Sequence, residues 1–297
     1  ASMCLPRWEK TNLSLWKASV KYALHYIAAS KMSWNLRLNT KKRIIERKRI
    51  MDTIHMPADL DRRIASAVEY FWTTRTGQIT RQTANGVRDQ GNRGAVTGGK
   101  QLDGFVELIH DLLTVNGVPE ECIFINSDLE LPGYFRPNKK WDLLVVDNGE
   151  LVIAIEFKSQ VGPSFGNNFN NRTEEAMGTA LDLWTAYREG VFGTQPAPWI
   201  GYFLVLEDCL RSNEPVKVRS PHFEVLHEFI DASYKERYEI FCNKLLLERQ
   251  YCAACFTTTS YLPNEITYDF PEEALSFNSF VISMLSAALA HFMGRRH

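Results

Sequence analysis

The sequence predicts an α/β protein: a central mixed sheet flanked by helices, with further helices at both ends. Three observations carry this reading. Two strong strands, residues 140–146 and 150–158, are separated by Asp147-Asn148-Gly149, a hairpin signal. Residues 199–206, WIGYFLVL, form an unbroken apolar run, the mark of a strand buried on both faces. Segments of helical period lie before, between and after these strands.

In chain order, residues 13–30 place Leu13, Trp16, Val20, Ala23, Leu24 and Ile27 at helical spacing. Residues 41–50, KKRIIERKRI, read as a short basic helix or arm. Pro57 opens a helix to about residue 73, proline being suited to a first turn. Residues 75–99, rich in Gly, Thr, Asn, Gln and Arg, read as a polar loop. A helix over 100–113 ends before Asn116-Gly117, and 122–126 is a short strand. After the hairpin, Asn171 is expected to cap a helix to about 189, with Glu174 completing a capping box. Ala176, Ala180, Leu183, Trp184 and Tyr187 form its apolar stripe, and Gly190 stops it. Residues 233–247 and 271–292 are helical, with Pro271 starting the last. The expected division is a basic helical extension over 1–60 and a main domain over 61–297, its core at about 100–210.

The composition, 45% hydrophobic and 23% charged, excludes a disordered or fibrous chain. No run approaches the roughly 18 apolar residues of a membrane span, and no signal peptide is visible. Six cysteines among 297 residues make no disulfide framework. Reduced thiols in a cytoplasmic protein are the expectation. The net charge of −1 conceals a split. Residues 1–100 hold 19 Lys/Arg and 7 Asp/Glu, whereas residues 101–297 hold 15 and 28. A basic first third fits a polyanionic partner, and an acidic remainder fits a catalytic body that gathers carboxylates around cations. An electrostatic match between two packed parts of one fold gives the same split.

Asp142, Glu156 and Lys158, spaced D-x13-E-x-K, stand on neighbouring strands in otherwise apolar sequence. Leu151, Ile153, Ile155 and Phe157 share one strand face, and Trp141, Leu143 and Val145 are the matching apolar set on the partner. Asp142 and Glu156 then point the same way. A two-residue turn would pair Asp142 with Ile155 and turn it to the wrong face. The expectation is therefore a three-residue turn, Asp147-Asn148-Gly149, which pairs Asp142 with Ala154 and leaves Glu156 diagonal to it. Two carboxylates this close repel and call for a cation. Few oxygens plus water suit Mg²⁺, which favours phosphate as a further ligand. Lys158 would offset developing negative charge. An ordinary Glu–Lys surface pair on an edge strand is the competing reading.

This segment resembles the PD-(D/E)xK nuclease motif, with Asn138-Lys139-Lys140-Trp141 where proline usually precedes the aspartate. Several stretches resemble the XhoI-type family of type II restriction endonucleases: GGKQLDGF (98–105), LPGYFRPNKKWDLLV (131–145), EFKSQVGPSFGNNFNNRTEEAMGTA (156–180), LVLEDC (204–209) and SYKERYE (233–239). The resemblance spans about residues 65–260. It implies a restriction-endonuclease-like core in which Asp142 and Glu156 hold Mg²⁺ and Lys158 is catalytic. It further implies the Phe157 carbonyl and Asp103 as additional metal ligands, with Glu107 the weaker alternative. The implied activity is hydrolysis of double-stranded DNA to 5′-phosphate ends at a CTCGAG-like palindrome by a homodimer, with a cognate DNA methyltransferase in the host. A structure-specific repair or recombination nuclease and an inert DNA-binding module are the alternatives.

For DNA contact, Ser164, Asn167, Asn168, Asn170 and Arg172 follow the catalytic strand, and Asn and Arg can read adenine and guanine. Arg81, Arg88, Arg93 and Lys100 in the polar loop suit phosphates. Cys252-x-x-Cys255 lacks a second ligand pair for zinc. His222 and His227 accompany no nucleophile motif, and neither a P-loop nor a G-x-S-x-G elbow is present.

Overall fold

The computed structural model describes residues 54–84, 100–262 and 265–294. Most of the expected 1–60 extension, with Arg88 and Arg93, lies outside the described residues.

Six strands form the central sheet: β1 (Ile123–Phe124), β4 (Leu143–Asp147), β5 (Glu150–Gln160), β6 (Trp199–Glu207), β7 (Ala253–Leu262) and β8 (Glu265–Asp269), in the order β1-β4-β5-β6-β7-β8. The β5–β6 and β6–β7 pairs are parallel and the others antiparallel, so the sheet is mixed. A separate two-stranded ribbon joins β2 (Glu130–Pro132) and β3 (Asn138–Lys140). One sheet face is covered by α1 (Leu60–Ala84), α2 (Asp103–Val115) and α6 (Phe277–Gly294). The other is covered by α3 (Phe165–Arg188) and α5 (Tyr234–Leu247), with the short α4 (Leu210–Asn213) beyond the end of β6. This is the expected architecture, with helices on both faces.

The central strand β6 is buried along almost its whole length, as its apolar run requires. Phe203 and Val205 face α2 and α6, whereas Tyr202, Leu204 and Leu206 face α3 and α5. Gly201 within it is a packing necessity. A Cβ there would lie 2.6 Å from the Trp199 ring and 2.7 Å from that of Phe280. By length and composition α6 could cross a membrane, but Phe277, Phe280, Val281, Met284 and Leu285 are buried in the protein core.

Five expectations change. The helix α1 runs to Ala84, through residues read as loop, so Arg81 is helical. Helix α3 begins at Phe165, with Ser164 at the cap position, so Asn171 lies within the helix and caps nothing. Asn and Gly at 166–171 have poor helix propensity. Phe165 and Phe169, one turn apart, override it by packing on Tyr234, Tyr238 and Phe241. The last helix starts at Phe277 rather than Pro271; a short 3-10 turn, Glu273–Leu275, precedes it. Strands β7 and β8 were not foreseen, although AACFTTTSYL is rich in β-formers.

The fifth change concerns the hairpin. Its turn is the two-residue Asn148-Gly149, with φ of 50° and 80°, the left-handed pair that Asn-Gly favours. Such a turn alone would put Asp142 against Ile155. A β-bulge intervenes: Val146 pairs with Leu151 but Val145 pairs with Ile153, leaving Val152 as the extra residue. Beyond it the ladder continues to Leu143↔Ile155, which sets Asp142 against Glu156. The same-face conclusion stands, by a different device. Leu151 is displaced by the bulge into the cluster under α3 and α5. Trp141 joins the same cluster, because regular pairing stops between β3 and β4.

Candidate active site

Strand alternation lays Ile153, Ile155 and Phe157 on the face under α2 and α6. Glu156 and Lys158 therefore project to the α3 side, flanked in register by Tyr202 and Leu204 of β6. Asp142, at the break just before β4, donates its N–H to the Ile155 carbonyl at 3.2 Å. Its Oδ2 accepts the Phe157 N–H at 2.7 Å, so the β5 backbone holds the carboxylate directly.

Burial and the neighbouring Glu156 push the Asp142 carboxyl up to about 6, against the opposing pull of the Phe157 N–H and of Lys158 and Lys139. Glu156 is only 3% exposed. Burial alone would raise it, but Lys158 and Lys139 outweigh burial and hold it below the ordinary glutamate range. Oε1 of Glu156 is paired with the Lys158 ammonium and Oε2 with that of Lys139. Burial disfavours the Lys158 charge, yet Glu156 holds its pKa above the ordinary lysine value. Two carboxylates and two ammoniums thus balance in one desolvated patch. This donor set suits a divalent cation, since a harder, doubly charged ion can replace ammonium on the same oxygens.

Lys139 was missed from sequence. It comes from β3, and its ammonium lies 4.7 Å from the centroid of the Trp141 ring. The β2–β3 ribbon that carries it is pinned at its tip by Asp182 of α3. That carboxylate accepts the N–H groups of Tyr134 and Phe135, each at 2.8 Å, and Nε of Arg136 at 2.7 Å. Between ribbon and helix runs a cleft of about 620 Å³, with Phe135, Arg136 and Lys139 on one wall, Glu174, Glu175 and Gly178 on the other, and Glu156 and Lys158 at its base. Only a lysine near the aspartate hinted at this, and no periodicity links 139 to 156. Asp182→Ala is expected to lower stability by about 1–3 kcal/mol, because three donors lose their acceptor. A lower melting temperature and new chymotryptic cleavage at Tyr134 or Phe135 would show it.

The structure brings together Asp142, Glu156, Phe157 and Lys158. Asp103 begins α2; burial and Glu107 push its carboxyl up, while Lys100 pulls it down. Among the described residues no group of three His, Cys, Asp or Glu side chains clusters as a metal cage. Ser164, Asn167 and Asn170 are exposed at the start of α3, and Asn168 is half-buried there. The Arg172 side chain is 16% exposed and paired with Glu175 at 2.6 Å. Lys100 is exposed in a single 3-10 turn before α2. Cys255 is a buried strand cysteine, and every cysteine among the described residues is free.

A family described as restriction endonuclease XhoI matches residues 81–267. The type II restriction enzyme BstVI of Geobacillus stearothermophilus is 50% identical over 205 residues, covering 67% of this chain and 92% of that enzyme. The type II restriction enzyme XhoI of Xanthomonas vasicola is 48% identical over 194 residues, covering 64% and 77%. The type II restriction enzyme AbrI of Azospirillum brasilense is 51% identical over 167 residues, covering 56% and 75%. No solved structure matches the chain. The matched span contains the whole Asp142–Glu156–Lys158 constellation and the cleft above it, and the chain belongs to the XhoI restriction endonuclease family.

Proposed function

We propose that this chain is a Mg²⁺-dependent type II restriction endonuclease. It hydrolyses both strands of duplex DNA at a CTCGAG-like palindrome, leaving 5′-phosphate and 3′-hydroxyl ends. The observation that carries the reading is that Asp142, Glu156 and Lys158 converge on one face of the sheet, Glu156 and Lys158 lining an open cleft and Asp142 standing opposite Glu156.

Asp142 and Glu156 would hold the ion, with the Phe157 carbonyl as a further protein ligand; Asp103 starts α2, which covers the other sheet face, and among the described residues it does not join them. When bound, Mg²⁺ polarises a phosphate oxygen and lowers the pKa of an attacking water. Asp142 is oriented for this by the Phe157 N–H. Each Glu156 oxygen carries one ammonium and keeps a further lone pair, so Glu156 could hold the ion while Lys139 and Lys158 stay beside it. The Lys158 ammonium would donate to a non-bridging oxygen of the scissile phosphate, where charge builds in the transition state. Arg136, ion-paired with Asp182, helps hold the ribbon wall in place.

A palindromic site presents two equivalent halves, and a two-fold homodimer supplies one such centre per strand. Protection of the host genome falls to a cognate methyltransferase. Ser164, Asn167, Asn168, Asn170 and Arg172 at the start of α3, with Arg88, Arg93 and Lys100, are the proposed DNA contacts.

Incubation with plasmid DNA and Mg²⁺, followed by mapping of the ends, is expected to give discrete double-strand cuts at one palindrome. EDTA is expected to abolish cutting, and Ca²⁺ to support binding with little cutting. Undiminished cleavage in EDTA, or cuts restricted to branched DNA, would refute the reading.

A further inference from the structure

A second cleft, of about 410 Å³, opens beyond the carboxyl end of β5. Its walls are largely aromatic and apolar: Trp72 of α1 stacks on Tyr261 of β7, centroids 5.5 Å apart and planes 26° apart, and Phe165 and Pro163 line the side towards α3. Two charged groups stand in it. Arg75 is 7% exposed; among the described residues its charge is offset by Glu207 across the cleft, without an ion pair within 4 Å. Glu207, from the end of β6, uses Oε2 to accept the Gly162 N–H at 2.7 Å. Arg211 stands exposed at the rim.

A largely buried guanidinium that opens onto the cleft and faces a single carboxylate can take a further acceptor from a ligand. A phosphate fits poorly here, with a carboxylate in the same cleft and aromatic walls around it. A heteroaromatic ring with adjacent acceptor and donor atoms meets every feature. Its ring packs on the aromatic wall, where Tyr261 is the exposed member, its carbonyl or ring nitrogen takes Arg75, and its amino group gives to Glu207. A base still paired in a duplex cannot enter such a slot. Gly162 follows Lys158 by four residues, so the slot lies at most about 14 Å along the chain from the catalytic lysine.

We infer that this cleft takes a nucleobase of the substrate DNA drawn out of the stack beside the scissile phosphate, Arg75 and Glu207 reading its edge. The inference rests on the nuclease reading above and adds base extrusion to it.

The test uses duplexes containing CTCGAG, each with one 2-aminopurine at successive positions within and beside the site, bound in Ca²⁺. Emission at one position is expected to change severalfold with the wild type. That change is expected to vanish in Tyr261→Ala and Arg75→Met. A mismatch at that position is expected to tighten wild-type binding about tenfold, and not that of either variant, because unpairing then costs less. No responsive position, or a response that survives both substitutions, overturns the inference while wild-type cleavage in Mg²⁺ leaves the nuclease reading intact. A wild type that cuts no DNA fails that reading instead. Should Arg75→Met not fold, Tyr261→Ala decides alone, its ring being half-exposed.

Discussion

Asp142→Asn and Glu156→Gln are each expected to slow DNA cleavage by roughly a thousandfold or more, in line with loss of a principal electrostatic element at a transition state. Each change keeps the shape of the side chain and removes a charge from the ion site. DNA binding should persist, because positioning rests largely on backbone contacts. Lys158→Ala is expected to be comparably slow. Single-turnover cleavage of a plasmid, beside a binding titration in Ca²⁺, separates the two effects. Full activity in any of the three variants would remove these residues from the chemistry. The variants should differ in stability. Glu156→Gln leaves the Lys139 and Lys158 ammoniums without their counter-charge and is expected to destabilise the fold. Asp142→Asn relieves repulsion and can still accept the Phe157 N–H through its amide oxygen.

The metal-free protein is expected to lose stability as pH rises from about 4 to about 6, by about 3 kcal/mol from Asp142 alone. In the folded chain this carboxyl ionises at about 6, because burial and Glu156 disfavour its charge, whereas its unperturbed value is 3.8. Below the lower value both states hold the proton and no penalty exists. Between the two values the unfolded chain ionises and the folded one does not, so unfolding gains. Above the higher value the penalty is complete and constant. Glu156 runs oppositely. Its folded value is lowered, so its contribution is present above the unfolded value and is lost only as pH falls. Glu156 therefore adds nothing to the slope above about pH 5, and the difference between wild type and Asp142→Asn isolates the Asp142 share from that of other raised carboxyls such as Asp103 and Glu239. Melting temperatures of wild type and Asp142→Asn should converge towards low pH and separate by pH 7. Ca²⁺ or Mg²⁺ should close the gap by stabilising the wild type alone. Parallel profiles at all pH values would contradict the burial of this carboxyl.

Much of this arrangement was legible in the sequence because it is local. The apolar run of β6 needs burial on both faces, and the alternation of β5 separates Glu156 and Lys158 from Ile155 and Phe157. Ser233 and Glu236 close the expected start of α5 as a capping box. What stayed hidden depends on contacts distant in sequence. Phe165 and Phe169 make helix out of an Asn-rich segment only because Tyr234 and Phe241 lie beneath them. The grip of Lys139 on Glu156 follows from the Asp182 anchor, more than forty residues away from the ribbon tip it holds. The bulge at Val152 has no residue signature, since valine is an ordinary strand former.

That bulge decides which length changes a related gene could survive. Val152 could be deleted without altering which residue confronts Asp142, because Val146↔Leu151 and Val145↔Ile153 would become consecutive rungs of an unbroken ladder. A deletion two residues later, at Ala154, inverts the strand beyond it wherever the bulge persists and carries Glu156 and Lys158 to the far side of the sheet. Such a lineage would need a compensating insertion before its aspartate and glutamate met again. Loss of the Val152 codon thus keeps the carboxylates face to face at the cost of one core side chain, while loss of a codon beyond the bulge keeps them so only if the bulge closes and Ile153 leaves its core face.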